Sequence, residues 1–193
     1  TPVEPPVIAN IGPQSPAPIY DENGPAVFLD VGQDATVTDA NNANFDGGFL
    51  RLALQNPDVQ FGFDDFSIAD GNGITVTSQG VGGLVQYQGV TFGTITTDQD
   101  GLLQVDFNAE ATPARAQQLV RQLTYDRANQ EFGTNSQLYA TLTIYDGSYT
   151  AAFSTSGEWT FFAPIIDGTH LSTATAGGFV GTMIGPFAQK RRD

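Results

Sequence analysis

The chain has no cysteine, and histidine, tryptophan and methionine occur once each in its 193 residues. The missing cysteines exclude disulfides, thiolate nucleophiles and thiolate-ligated zinc. A lone His170 rules out an imidazole-rich metal centre and argues against a His-centred catalytic site, and beside Asp167 it reads as part of a surface turn. Positive charge is almost as scarce. Seven basic residues stand against 21 acidic ones, for a net charge of −14. Such a surface repels nucleic-acid phosphates and anionic lipid, so neither nucleic acid nor membrane is expected as a partner, and cations are favoured as ligands. No apolar run reaches the length of a membrane span. Thr1–Glu4 lacks the basic start and apolar stretch of a secretory signal, so the segment reads as a mature or excised part of a longer protein.

What is abundant is turn and strand chemistry. Glycine contributes 22 residues, proline 11 and phenylalanine 14, while only 15% of residues are charged. This composition predicts an all-β fold. Residues 1–19 hold six prolines and read as an extended leader or linker, with Val7, Ile8 and Ile11 available to dock on the edge of the domain. The β domain is expected over 20–164, and a glycine-rich strand or hairpin extension over 165–193. Alternating patterns predict strands at 49–54, 74–77, 84–87, 90–95, 103–107, 138–144, 149–154 and 159–163. Gln88-Gly89 predicts a hairpin, and Asp70-Gly71-Asn72-Gly73 a tight turn. One segment breaks the pattern. Thr112-Pro113 followed by ARAQQLVRQL predicts a short helix over 113–123, with Thr112 as cap, Pro113 in the first turn, and Ala116, Leu119, Val120 and Leu123 on one face.

Val27, Leu29, Val31, Ala35 and Val37 alternate as opening strand positions, and the loop after them is crowded with oxygen. Asp39, Asn41, Asn42, Asn44 and Asp46 lie within eight residues, closed by Gly47-Gly48. Carboxylate and amide oxygens grouped in this way suit a hard cation such as Ca²⁺. The same residues also build ordinary turns, because Asn and Asp bond their own backbone. An extracellular chain without disulfides needs another staple, and a metal is a common one.

Several motifs carry a family resemblance. Tyr20–Gly24, the TVTDANNANFDGG run at 36–48, VTFGTI at 90–95, the run LLQVDFNAEATPARAQQLVRQLTYD at 102–126 and LTIYDG at 142–147 together resemble the cadherin-like, calcium-dependent repeats of large secreted bacterial surface proteins and adhesins. The similarity covers residues 7–155 and implies a mostly antiparallel β-sandwich, cadherin- or immunoglobulin-like. It implies calcium ligation by Glu22, Asp39, Asn41 and Asp146, to which the oxygen loop adds Asp46. Asn41 departs from the commoner acidic form, which implies weaker binding there. A second stretch, DGTHLSTATAGGFVGTMIGPFA near the C-terminus, resembles a glycine-rich strand pair at the end of some arabinose- and xylose-releasing glycoside hydrolases, without their catalytic carboxylates.

The first resemblance implies a non-enzymatic structural or adhesive module, extracellular or on the cell surface and stabilised by calcium. Its partners would be neighbouring modules of the same or an identical chain, or a surface glycan or protein. Two other readings remain: a carbohydrate-binding accessory domain of a carbohydrate-active enzyme, or a filament subunit joined by strand addition. An exposed aromatic platform would favour the first of these two, and an unpaired sheet edge the second. A carboxylate pair for glycoside hydrolysis cannot be singled out among 21 acids.

Overall fold

The computed structural model describes residues 5–11, 25–54, 64–127, 138–147 and 156–163. In chain order the elements are β1 (Val7–Ala9), β2 (Val27–Phe28), β3 (Thr36–Thr38), β4 (Phe49–Leu54), β5 (Asp64–Ile68), β6 (Ile74–Val76), β7 (Leu84–Tyr87), β8 (Val90–Gln99), β9 (Leu102–Phe107), helix α1 (Pro113–Arg121), β10 (Leu123–Arg127), β11 (Leu138–Tyr145) and β12 (Ser156–Ala163). Seven strands form one sheet in the order β12-β11-β4-β9-β8-β7-β6. Three form a second, β2-β10-β5, and β1 pairs with β3. Every pairing is antiparallel. The protein is an all-β antiparallel sandwich with one short helix, as expected from its sequence.

Alternation decides which face of each strand is buried. Leu50, Leu52 and Leu54 of β4 point inward beside Leu103, Val105 and Phe107 of β9 and Ala140, Leu142 and Ile144 of β11. Phe66 and Ile68 of β5 and Tyr125 of β10 belong to the same continuous core. The Val7–Ala9 segment pairs with β3, and Ile8 and Ile11 are fully buried. Gln88 and Gly89, both with positive φ (51° and 81°), make the predicted hairpin turn between β7 and β8.

The helix begins as its sequence dictates. The Thr112 side chain accepts from the Arg115 N–H at 3.3 Å, and Pro113 occupies the first turn. Ala116, Leu119 and Val120 are buried. It ends two residues before the predicted limit. Gln122 leaves the helical backbone, its N–H closing on Leu119 O, and Leu123 opens β10 opposite Ile68. Leu123 extends the apolar periodicity only because the strand buries it as well.

Three strand edges are closed by groups that are not strands. On β5, the Gln79 amide accepts from Ile68 N–H (3.4 Å) and donates to Ile68 O (2.8 Å), while Gly101 N–H donates to Asp64 O. On β6, Ile74 exchanges both backbone bonds with Gly71, and Val76 N–H donates to Asp70 Oδ1 at 2.9 Å. On β3, Val37 N–H donates to Gln117 Oε1 of the helix, and Arg121 Nε donates to Ala35 O.

The predicted turns at Tyr20–Gly24, the return strand at 149–154, His170 and the 165–193 extension lie outside the described residues.

Candidate functional site

The oxygen-rich loop and the end of β11 meet. Asp39 Oδ1 accepts from the backbone N–H groups of Asn41 (2.9 Å) and Asn42 (2.8 Å), the arrangement of an Asx turn. The Asn42 amide then donates to Asp146 Oδ2 at 2.7 Å. Asp146 is buried, and Asp39 is half-buried. Asp46 is exposed, and its N–H donates to Asn44 Oδ1. Asn41 is exposed as well. Thus two of the expected ligands, Asp39 and Asp146, are linked through Asn42, whereas Asn41 and Asp46 face solvent. Glu22 lies outside the described residues. Among the described residues, no group of three or more His, Cys, Asp or Glu side chains is arranged to hold a metal ion.

The same junction is closed by glycine. A Cβ on Gly48 would lie 2.0 Å from Tyr145 O, and one on Gly147 would lie 2.0 Å from Asp46 O. The loop is also stitched to the body. Phe45 N–H donates to Ala111 O at 2.7 Å, and Phe107 N–H donates to Gly48 O at 2.8 Å.

Two buried carboxylates were not visible as such in the sequence. Asp64 accepts from the Tyr125 hydroxyl at 2.6 Å within the core. Asp30, also fully buried, accepts from Ala35 N–H at 2.7 Å through Oδ2, while Oδ1 has no hydrogen-bond partner among the described residues. Burial raises the Asp30 pKa above the ordinary carboxylate value and the Asp34 charge adds to the rise. The N–H groups of Ala35 and Asp34 and the charge of Arg121 oppose it. Asp65 is raised as well, by desolvation first and then by the charges of Asp98, Asp126 and Asp100. Asp98 is raised by desolvation.

The solvent face of the large sheet carries a different group. Cross-strand register sets Tyr145, Phe49, Asp106 and Thr94 in one row across β11, β4, β9 and β8, and Thr143, Arg51, Gln104 and Thr97 in the next. The Phe49 and Tyr145 rings lie 5.5 Å apart at 44°. Both are half-buried, while Arg51 and Asp106 are exposed. Asp106 Oδ1 accepts from Thr96 Oγ1 (3.0 Å) and Gln104 Nε2 (2.8 Å). Sequence reasoning missed this face because its members come from four strands. The available signal was an aromatic and a cationic residue at the outward positions of FLRLAL, where a solvated strand ordinarily carries small polar groups.

No curated protein and no solved structure matches the chain. A family described as the β-xylosidase C-terminal concanavalin A-like domain, of glycoside hydrolase family 43, matches residues 94–193, more than half of the sequence. The match includes the C-terminal stretch that resembles glycoside hydrolases and extends well upstream of it. It gives no support to the cadherin-like, calcium-dependent adhesin resemblance. By sequence and by its antiparallel sandwich, the chain belongs to the family of β-xylosidase C-terminal concanavalin A-like domains.

Proposed function

We propose that the chain is a non-catalytic accessory domain of an extracellular carbohydrate-active enzyme, packed beside a catalytic domain that performs the glycoside chemistry. The observation that carries this reading is the family match over residues 94–193, to a domain described as C-terminal in a β-xylosidase. The sites are compatible with it. Asp30 and Asp64, the carboxylates most removed from solvent, are tied to Ala35 N–H and to the Tyr125 hydroxyl inside the fold. Neither is placed to protonate a leaving group or attack a sugar, which requires two carboxyls flanking a substrate cleft. The filament alternative draws less support, because the described edges of β5 and β6 are already hydrogen-bonded by Gln79, Gly101, Gly71 and Asp70.

The test is turnover by the isolated chain on aryl β-xylosides and aryl arabinofuranosides. The expected result is none above buffer. Asp65 and Asp98, whose raised pKa values make them the acid–base candidates among the described residues, supply the decisive variants. Turnover that disappears in Asp65→Asn or Asp98→Asn, with the melting curve unchanged, would overturn the non-catalytic reading.

A further inference from the structure

We infer that the solvent face of the seven-stranded sheet binds a largely neutral polysaccharide carrying scattered uronic-acid carboxylates, with Phe49 and Tyr145 against a sugar ring and Arg51 paired with the carboxylate. The inference rests on the accessory-domain reading for its choice of a sugar ligand. The rest comes from the arrangement of the face.

A pyranose ring presents an apolar face of C–H groups and a rim of hydroxyls. It needs an aromatic ring accessible from solvent and flanked by hydrogen-bonding side chains. The Phe49–Tyr145 pair supplies aromatic surface, with ring centroids 5.5 Å apart, planes tilted by 44° and both rings half-buried. Gln104, Thr143 and Asp106 stand beside it in register. The row holding Arg51 is two residues along the strand from the row holding Phe49, a spacing of about 7 Å. A substituent on a ring stacked at Phe49 would therefore reach the guanidinium.

The charge distribution selects the substituent. Three arginines have described side chains. Arg115 pairs with Glu110, and Arg121 donates to Ala35 O. Arg51 is exposed, and the ion pair of Arg115 is the one found among the described residues. The nearby Asp106 directs Oδ1 toward Thr96 of β8 and Gln104 of its own strand, with β8 on the opposite side of β9 from β4. The guanidinium is thus left open to a carboxylate, which it matches with two parallel N–H donors. The rest of the molecule sets a limit. A net charge of −14 repels a continuous polyanion at long range. The ligand that satisfies both is a neutral backbone with occasional uronic acids.

The experiment is affinity electrophoresis and calorimetry of the full 193-residue chain with glucuronoxylan, with the same polymer after carboxyl reduction, and with polygalacturonate. Native glucuronoxylan should bind more tightly than its reduced form by roughly two- to fivefold, the range of one ion pair at an exposed site. Polygalacturonate should bind more weakly than glucuronoxylan. Arg51→Gln should erase the difference between native and reduced polymer, and Arg115→Gln should preserve it. Equal binding of the two polymers, or an unaltered difference in Arg51→Gln, overturns the role of Arg51 while leaving sugar binding in place. No binding to any of the three polymers overturns the site altogether. Neither outcome bears on the accessory-domain reading, which is decided by turnover.

Discussion

Asn42 and Asp146, 104 residues apart in sequence, are joined by an amide-to-carboxylate hydrogen bond of 2.7 Å that ties the oxygen-rich loop to the end of β11. Removing the amide leaves a buried carboxylate without this donor. Asn42→Ala should therefore lower unfolding free energy by about 1–3 kcal/mol, the range for a hydrogen bond to a charged group. Urea unfolding checks this, with Asn41→Ala, an exposed neighbour, expected to be near neutral.

The same geometry bears on calcium. Asp39 Oδ1 already accepts two backbone N–H groups, and Asp146 Oδ2 accepts the Asn42 amide. Those donors engage one oxygen of each carboxylate and hold the loop in place without a cation. Calcium up to ~10 mM, above the roughly 10⁻⁴–10⁻³ M range of extracellular modules, should leave the melting temperature where magnesium and chelator leave it. A calcium-specific rise that Asp39→Ala abolishes would show that the loop rearranges around the ion.

The three glycines of the junction should differ sharply. Gly47 has a positive φ of 75° and open space around its Cβ position, so Gly47→Ala should cost about 1–2 kcal/mol, the price of left-handed backbone. Gly48→Ala and Gly147→Ala each place a methyl 2.0 Å from a backbone carbonyl oxygen. Both should cost more than ~3 kcal/mol or abolish folding, since only backbone movement relieves the clash. Denaturation midpoints of the three variants test the ranking.

Leu119 is fully buried on the helix face that meets the core. Leu119→Ala should cost about 2–5 kcal/mol, and Thr112→Ala about 1 kcal/mol through the lost cap. Chemical denaturation measures both.

Asp30 predicts a pH dependence. Its pKa is raised in the fold, chiefly by burial. The native state therefore holds the proton more tightly than the unfolded chain, whose value is near 3.9. The Asp30 contribution is most favourable below that value and declines as pH climbs through the raised native pKa. Asp65 and Asp98 are shifted in the same direction. Asp30→Asn removes the titration, so its stability relative to wild type should improve over the interval from about pH 4 up to the raised native value and level off above it. A difference that stays flat across that interval would show that Asp30 titrates normally in the fold.

Local chemistry was legible in the sequence. The Thr112–Pro113 helix start, the Gln88-Gly89 turn and the alternation of β4, β9 and β11 each depend on a few adjacent residues, and each appears where expected. The sites were not legible, because their partners are remote. Nothing near Phe49 in sequence announces Tyr145, and nothing near Asn42 announces Asp146. The loop 39–46 illustrates a second difficulty. Oxygen-bearing side chains attract cations and N–H groups alike, so composition gives the acceptors without saying which donor arrives. The helix limit failed for a related reason: Leu123 fits the helical period and the strand pattern equally well, and pairing with Ile68 decided between them.

The side-chain amides of Gln79 and Gln117 act as one-residue surrogate strands. Each holds a backbone group that would otherwise solicit another polypeptide. Replacing Gln79 with a residue of similar size and no amide, such as Leu, would leave the fold's interior untouched while reopening the β5 edge. Its consequence would appear as slow self-association of native protein, before any change in melting temperature.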